Sequence, residues 1–219
     1  MALSVLQPDQ LSVAAVGNAF VDRVYAKLSP IYDIVFGGIL QAGRVAAVAR
    51  MNIQPGDRVL EVGVGTGINT SLYPRNCRVT AVDLSAPMLE KARDRVEREG
   101  LSHVRLFEMD AAQLTFRDDA FDCVYAPYMM SVVPDPVAVA REMHRVCRPG
   151  GRLVLLNHFR SPNPLLSRVE RAISPLTVHV GFKADLDLPG FLAQAGLRPA
   201  RIEKVNTPRL WSLVTCIKR

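Results

Sequence analysis

A chain of 219 residues that is 49% apolar and 22% charged has the length of one domain with a sizeable core, and a balance that excludes a disordered or low-complexity protein. No apolar run approaches the ~18 residues of a membrane-spanning helix, and the start lacks the basic opening and apolar block of a secretory signal. The net charge of +6 is uneven: residues 141–219 hold 14 Lys+Arg against 5 Asp+Glu, and the rest 13 against 16, a bias that suits an anionic partner such as phosphate, nucleic acid or an anionic membrane.

From about Asp9 to Ser29, Val13, Val16, Phe20, Val24 and Leu28 recur at steps of three or four, the stripe of an amphipathic helix. Such a helix packs on the domain or lies on a bilayer. Arg44 and Arg50 ride a second helix that ends before Pro55-Gly56-Asp57. Val59 to Val62 is an apolar run interrupted by Glu61, and it reads as a strand. Gly63, Gly65 and Gly67 follow at alternate positions, so the backbone can turn tightly and a ligand can approach it. A helix is expected next, with its N-terminal amides aimed at that ligand. The G-x-G-x-G spacing is not the G-x-G-x-x-G of dinucleotide enzymes, which speaks against a dehydrogenase.

The second strand, Arg78 to Val82, closes on Asp83. Ser85 is placed to cap the helix that carries Met88 in its first turn. A third strand from Val104 ends in Asp110-Ala111. A fourth, from Phe121 to Ala126, runs into Pro127-Tyr128. Pro134-Asp135-Pro136 opens a helix through Val146, residues 148–152 read as a turn, and the fifth strand is Leu153 to His158. Pro162, Pro164 and Pro175 then break the pattern up to about Asp187, in an insert that carries Arg160, Arg168, Arg171 and Lys183. A helix from Leu188 to Ala195 stops at Gly196, and two strands follow, around Arg201–Val205 and Trp211–Ile217. The four cysteines form no C-x-x-C pair, so neither a metal site nor a disulfide frame is expected, and a reducing cytoplasm suits them.

Glu61, the glycine turn and Asp83 together resemble the class I S-adenosylmethionine-dependent methyltransferases. The segment Tyr25-Ala-Lys-Leu-Ser-Pro-Ile-Tyr32-Asp33-Ile-Val-Phe36-Gly37 is similar to the one that precedes the core in bacterial phospholipid N-methyltransferases and related quinone C-methyltransferases. The resemblance covers roughly residues 20–158. It implies an α/β, Rossmann-like sheet of seven strands, mostly parallel with one antiparallel strand, helices on both faces and an extra N-terminal amphipathic helix. One domain, 1–219, would comprise that helix (1–29), a cofactor-binding core (30–158), a substrate-covering insert (159–187) and a C-terminal helix and β-hairpin (188–219).

The resemblance also implies S-adenosylmethionine as cofactor, S-adenosylhomocysteine as product and no metal. Glu61, Gly63, Gly65 and Gly67 would face the methionine end. Asp83, followed by Leu84, would hold the ribose hydroxyls. Asp110 would reach the adenine amine, and the Ala111 amide a ring nitrogen. Met88 packs on adenine or in the core. Tyr25 and Tyr32 would serve both cofactor and catalysis, since aromatic faces house a methylated ammonium. His158 is the candidate proton acceptor, at the carboxyl rim where open α/β sheets bind ligands. Tyr128, Asn157, His158, Arg160 and Lys183 would meet the substrate. Ala126-Pro127-Tyr128 lacks the Asn of the Asn-Pro-Pro-Tyr loop of base-modifying methyltransferases, so that chemistry is not carried over.

The function implied is methylation of phosphatidylethanolamine toward phosphatidylcholine at the inner face of the cytoplasmic membrane. The first helix and basic residues would dock an anionic bilayer, without nucleic acid and without an obligate protein partner. The alternatives are a quinone or other small-molecule methyltransferase of the same fold, and an RNA methyltransferase or binder. The last is disfavoured, because the basic residues are not interleaved with aromatics.

Overall fold

The computed structural model describes residues 40–161, 168, 186–206 and 210–219. The helix expected at 9–29, Tyr25, Tyr32, and most of the insert with Arg171 and Lys183 lie outside the described residues.

Seven strands form one sheet: β1 (Arg58–Val62), β2 (Arg78–Asp83), β3 (Val104–Glu108), β4 (Phe121–Pro127), β5 (Cys147–His158), β6 (Pro199–Val205) and β7 (Trp211–Ile217). Their order is β3-β2-β1-β4-β5-β7-β6. The first five run parallel, and β7 is antiparallel to both neighbours, so a single strand is reversed as expected. Among the described residues these helices flank the sheet: α1 (residues 40–51), α2 (Ala86–Arg98), α3 (Pro136–Val146) and α4 (Leu188–Ala195).

The central strands are apolar on both faces, because helices cover both. Leu60, Val124, Leu153 and Leu155 pack with Val139 and Met143 of α3 and Phe191 of α4. On the other face Val59, Tyr125, Val154 and Leu156 pack with Ala47 and Met51 of α1. Parallel pairing aligns the carboxyl ends of β1, β2, β3 and β4 along one rim, where Val62 opposes Val82 and Asp83 opposes Glu108.

Three local expectations are corrected. The glycine turn leads not into an α-helix but into one 3-10 turn, Thr70–Leu72. Pro74 explains this: it biases Tyr73 to extended backbone, and Tyr73 has φ −76° and ψ 139°. Residues 148–152 are not a free turn. Gly150 and Gly151 bond to Lys218 beyond β7, which draws them into the ladder, and β5 absorbs the excess as a register shift against β4. Ser85 occupies the N-cap of α2, but its hydroxyl makes no capping bond.

Candidate active site

The rim carries a cavity of about 270 Å³ between the glycine turn, the β2–α2 and β3–β4 connections and the segment after β4. Of the residues expected to meet the cofactor, Gly63, Gly65, Asp83, Leu84, Met88, Asp110 and Ala111 line it, as does Tyr128. Thr66, Ser85, Met109, Met129, Val132 and Val133 line it too, and were not foreseen. The apolar run Met129–Val133 was the available signal, but it could equally have been core.

Asp83 organises the rim. Its Oδ2 accepts from the Gly65 amide at 2.7 Å and its Oδ1 from the Ser85 amide at 3.0 Å. One carboxylate thus fixes both the glycine turn and the entry to α2. The two leading glycines serve different ends. Both have positive φ, 75° at Gly63 and 56° at Gly65. A Cβ on Gly63 would sit 2.9 Å from Met129 Sδ, whereas one on Gly65 would meet nothing within 4 Å. Gly63 therefore allows the wall to close, and Gly65 leaves the backbone bare toward the cavity.

Glu61 does not line the cavity. It is fully buried beneath the turn, where its carboxylate accepts from Asn69 Nδ2 and from the Tyr73 hydroxyl, each at 2.6 Å. Burial pushes its pKa up to about 7, and the two hydrogen bonds and the Arg44 charge only partly offset that. Gly67 is likewise outside the lining. A Cβ there would lie 3.2 Å from Ala92 of α2, so its bareness serves packing.

The expected substrate residues disperse. Tyr128 donates its hydroxyl to the Leu40 carbonyl at 2.9 Å and accepts from Asn206 Nδ2 at 2.9 Å, with the Arg44 guanidinium 5.1 Å from the ring centroid. Asn157 is buried, accepts from Ser131 at 3.4 Å and donates to the His158 carbonyl at 2.6 Å. His158 lies next along β5, so its side chain takes the opposite face. Its Nδ1 contacts the Leu210 carbonyl at 3.2 Å, a bond made by the tautomer that carries its proton on Nδ1. Arg160 pairs with Asp187 at 2.6 Å, and its amide bonds Leu186, so it ties together the two ends of the insert.

The cavity suits a sulfonium nucleoside. Asp83 offers acceptors for vicinal hydroxyls, and Leu84, Met88, Met109 and Val132 are apolar walls for a ring. Among the described residues the buried Ser85 Oγ has no hydrogen-bond partner, so it can serve a polar group of the ligand. Among the described residues no cluster of His, Cys, Asp or Glu could hold a metal.

The family model described as "Methyltransferase domain" matches residues 60–155. The chain is 43% identical over 166 residues to phosphatidylethanolamine N-methyltransferase of Cereibacter sphaeroides, covering 75% of this chain and 81% of that protein. It is 33% identical over 150 residues to a ubiquinone/menaquinone biosynthesis C-methyltransferase of Teredinibacter turnerae, covering 66% of this chain and 60% of that one. A solved S-adenosylmethionine-dependent methyltransferase from Aquifex aeolicus superposes with a TM-score of 0.65 at 18% identity, over 88% of this chain and 97% of that chain, a likeness of fold.

Proposed function

The chain belongs to the S-adenosylmethionine-dependent methyltransferases, and we propose that within them it methylates the amine of phosphatidylethanolamine and its partly methylated derivatives, toward phosphatidylcholine, at a membrane surface. The likeness to the Cereibacter sphaeroides enzyme, 43% over 81% of that protein, carries this reading.

When bound, S-adenosylmethionine supplies a methyl group already activated on sulfur. The residues here bind and orient. Asp83 takes the ribose hydroxyls by charge-assisted bonds. Asp110 and the Ala111 amide take the edge of the adenine, and Leu84 and Met88 cover its faces. Glu61, Gly63 and Gly65 shape the methionine end, with Gly67 packed behind on α2. Holding donor and acceptor close and collinear supplies several kcal/mol.

The acceptor amine must lose a proton before it can attack. We assign that acceptance to His158 Nε2, at the carboxyl tip of β5. By the resemblance, Tyr25 and Tyr32, outside the described residues, would supply aromatic faces for the methylated ammonium. A basic side chain of the insert, by the same resemblance, would pair with the lipid phosphate, while Tyr128, Asn157 and Arg160 hold the walls through the bonds described above. No helix among the described residues is long and apolar enough to cross a membrane. In this reading the enzyme reaches its lipid from the cytoplasmic side, with residues 9–29 on the anionic surface.

Labelled methyl transfer decides the acceptor. Purified protein is given labelled S-adenosylmethionine with vesicles of phosphatidylethanolamine, with extracted quinones, and with RNA. Label in mono-, di- and trimethylated phosphatidylethanolamine is the expected result. Label in quinone and none in phospholipid would replace this reading with the C-methyltransferase one, which the Teredinibacter turnerae likeness favours.

A further inference from the structure

Tyr128 is the first residue beyond β4, and its φ of +56° is left-handed. A side chain of that size holds such a backbone only when its surroundings fix it, at a cost of about 1–2 kcal/mol. Three segments far apart in sequence do the fixing. Its amide donates to the Leu156 carbonyl of β5. Its hydroxyl donates to the Leu40 carbonyl of α1 and accepts from Asn206 Nδ2.

Asn206 follows β6, is itself left-handed at φ +59°, and is 8% exposed. Its Oδ1 accepts from the Gly43 amide at 2.6 Å, so both ends of its amide are engaged. A Cβ at position 43 would lie 2.7 Å from the Tyr128 hydroxyl and 2.8 Å from either Asn206 amide atom. Bare backbone at Gly43 is therefore what lets α1, β6 and the β4 tip meet. Directly after Tyr128 comes Met129, which lines the cavity and packs against Gly63.

We propose that Asn206 is a positioning residue for cofactor binding. Clamped on Gly43, it holds the Tyr128 hydroxyl, fixes the left-handed turn after β4, and so sets the Met129 wall over the glycine turn. The inference rests on this cavity being the cofactor site and not on the identity of the methyl acceptor.

Calorimetry with S-adenosylhomocysteine tests it on the full chain with Asn206→Gly, Tyr128→Phe and the pair combined. Glycine tolerates the left-handed backbone at 206, so Asn206→Gly removes the bonds alone. Tyr128→Phe removes only the hydroxyl. Each substitution should weaken binding about five-fold, the worth of a buried hydrogen bond. Combined, they should weaken it by less than the two losses multiplied, because both delete the bond between Asn206 and Tyr128. In Asn206→Gly the KM for S-adenosylmethionine should rise in step while kcat holds.

Arg50→Ala serves as the control. It breaks the ion pair of Arg50 with Glu203, which also joins α1 to β6 but touches neither Tyr128 nor the cavity. That variant should bind as the parent does. Single variants within about two-fold of the parent, strictly additive losses, or an equal loss in Arg50→Ala would each overturn the inference. A parent that bound no S-adenosylhomocysteine would overturn the cofactor site as well. Label found in quinone would leave the clamp standing and remove only the lipid reading.

Discussion

Glu61 and Asp83 are both acids at strand ends, two residues before and twenty after the start of one glycine turn, yet their surroundings give them opposite work. Asp83 stands at the cavity with two amides on its carboxylate. Asp83→Ala should weaken S-adenosylhomocysteine binding roughly a hundred-fold in calorimetry, because it removes bonds to an ionised acceptor and loosens the turn as well. Glu61 is sealed in the core with its pKa raised to about 7 from an ordinary 4.5. The sign follows from linkage. In the unfolded chain Glu61 ionises near 4.5, and in the folded protein only near 7, so between those limits folding takes up a proton. Stability is then undiminished below pH 4.5, falls as pH rises toward 7, and stays reduced above it. Its part of the slope approaches about 1 kcal/mol per pH unit. Denaturant midpoints from pH 5 to pH 8 should fall for the parent and run flatter for Glu61→Gln. A parent midpoint that rose over that range, or a variant with the parent's slope, would contradict this account of the buried acid. From the sequence both acids read alike, since an apolar run ending in a carboxylate looks the same whether the group faces a cavity or a core. What separated them was Asn69 and Tyr73, two donors eight and twelve residues onward that the 3-10 turn swings back beneath the strand.

At the scale of elements, most strands were legible because each is a short apolar run closed by an acid, a proline or a glycine. The α4 helix was legible to the residue, because Asp187 caps it through the Gly190 amide and left-handed Gly196 stops it. The misread places were those where distant pairing overrides local signals, as where Lys218 draws Gly150 and Gly151 into the sheet. The side chains of β5 show the same limit. Alternation along the strand was evident, but which of Asn157 and His158 would share a face with α3 depended on a register no local pattern encodes. The glycine turn gives a sharp test at this scale. Gly63→Ala and Gly65→Ala both incur the left-handed penalty of about 1–2 kcal/mol. Only the first also drives a methyl into Met129. In thermal melts Gly63→Ala should lower the midpoint more than Gly65→Ala. Gly65→Ala should instead lose cofactor affinity, since its methyl would enter the space over the bare turn. A Gly65→Ala protein with parental affinity would show that nothing approaches the backbone there.

Across the whole molecule, the positive excess of residues 141–219 falls on the part of the chain that includes the insert and the last two strands. If that charge and the N-terminal segment dock an anionic bilayer, flotation with anionic vesicles should be strong at low salt. It should fade as ionic strength passes ~0.15 M, where charges are screened beyond about 8 Å. Removing residues 1–20 should lessen it further. No flotation in any of these conditions would count against the proposed membrane-surface reaction. The fold itself was legible at this scale from alternating strand and helix signals, whereas the meeting of Gly43, Tyr128 and Asn206 was not, because it joins residues 163 and 78 positions apart through single atoms. The strand order carries one more consequence. β6 precedes β7 in the chain but lies outside it, and of the two only β7 pairs with β5. As the polypeptide leaves the ribosome, the flank of β5 stays open while residues 159–210 emerge, and β6 has no neighbour to zip onto until Trp211–Ile217 slots in. Nascent chains halted before that point expose an unpaired edge and invite self-association, so a late pause in translation is the moment at which this protein is most in need of a chaperone.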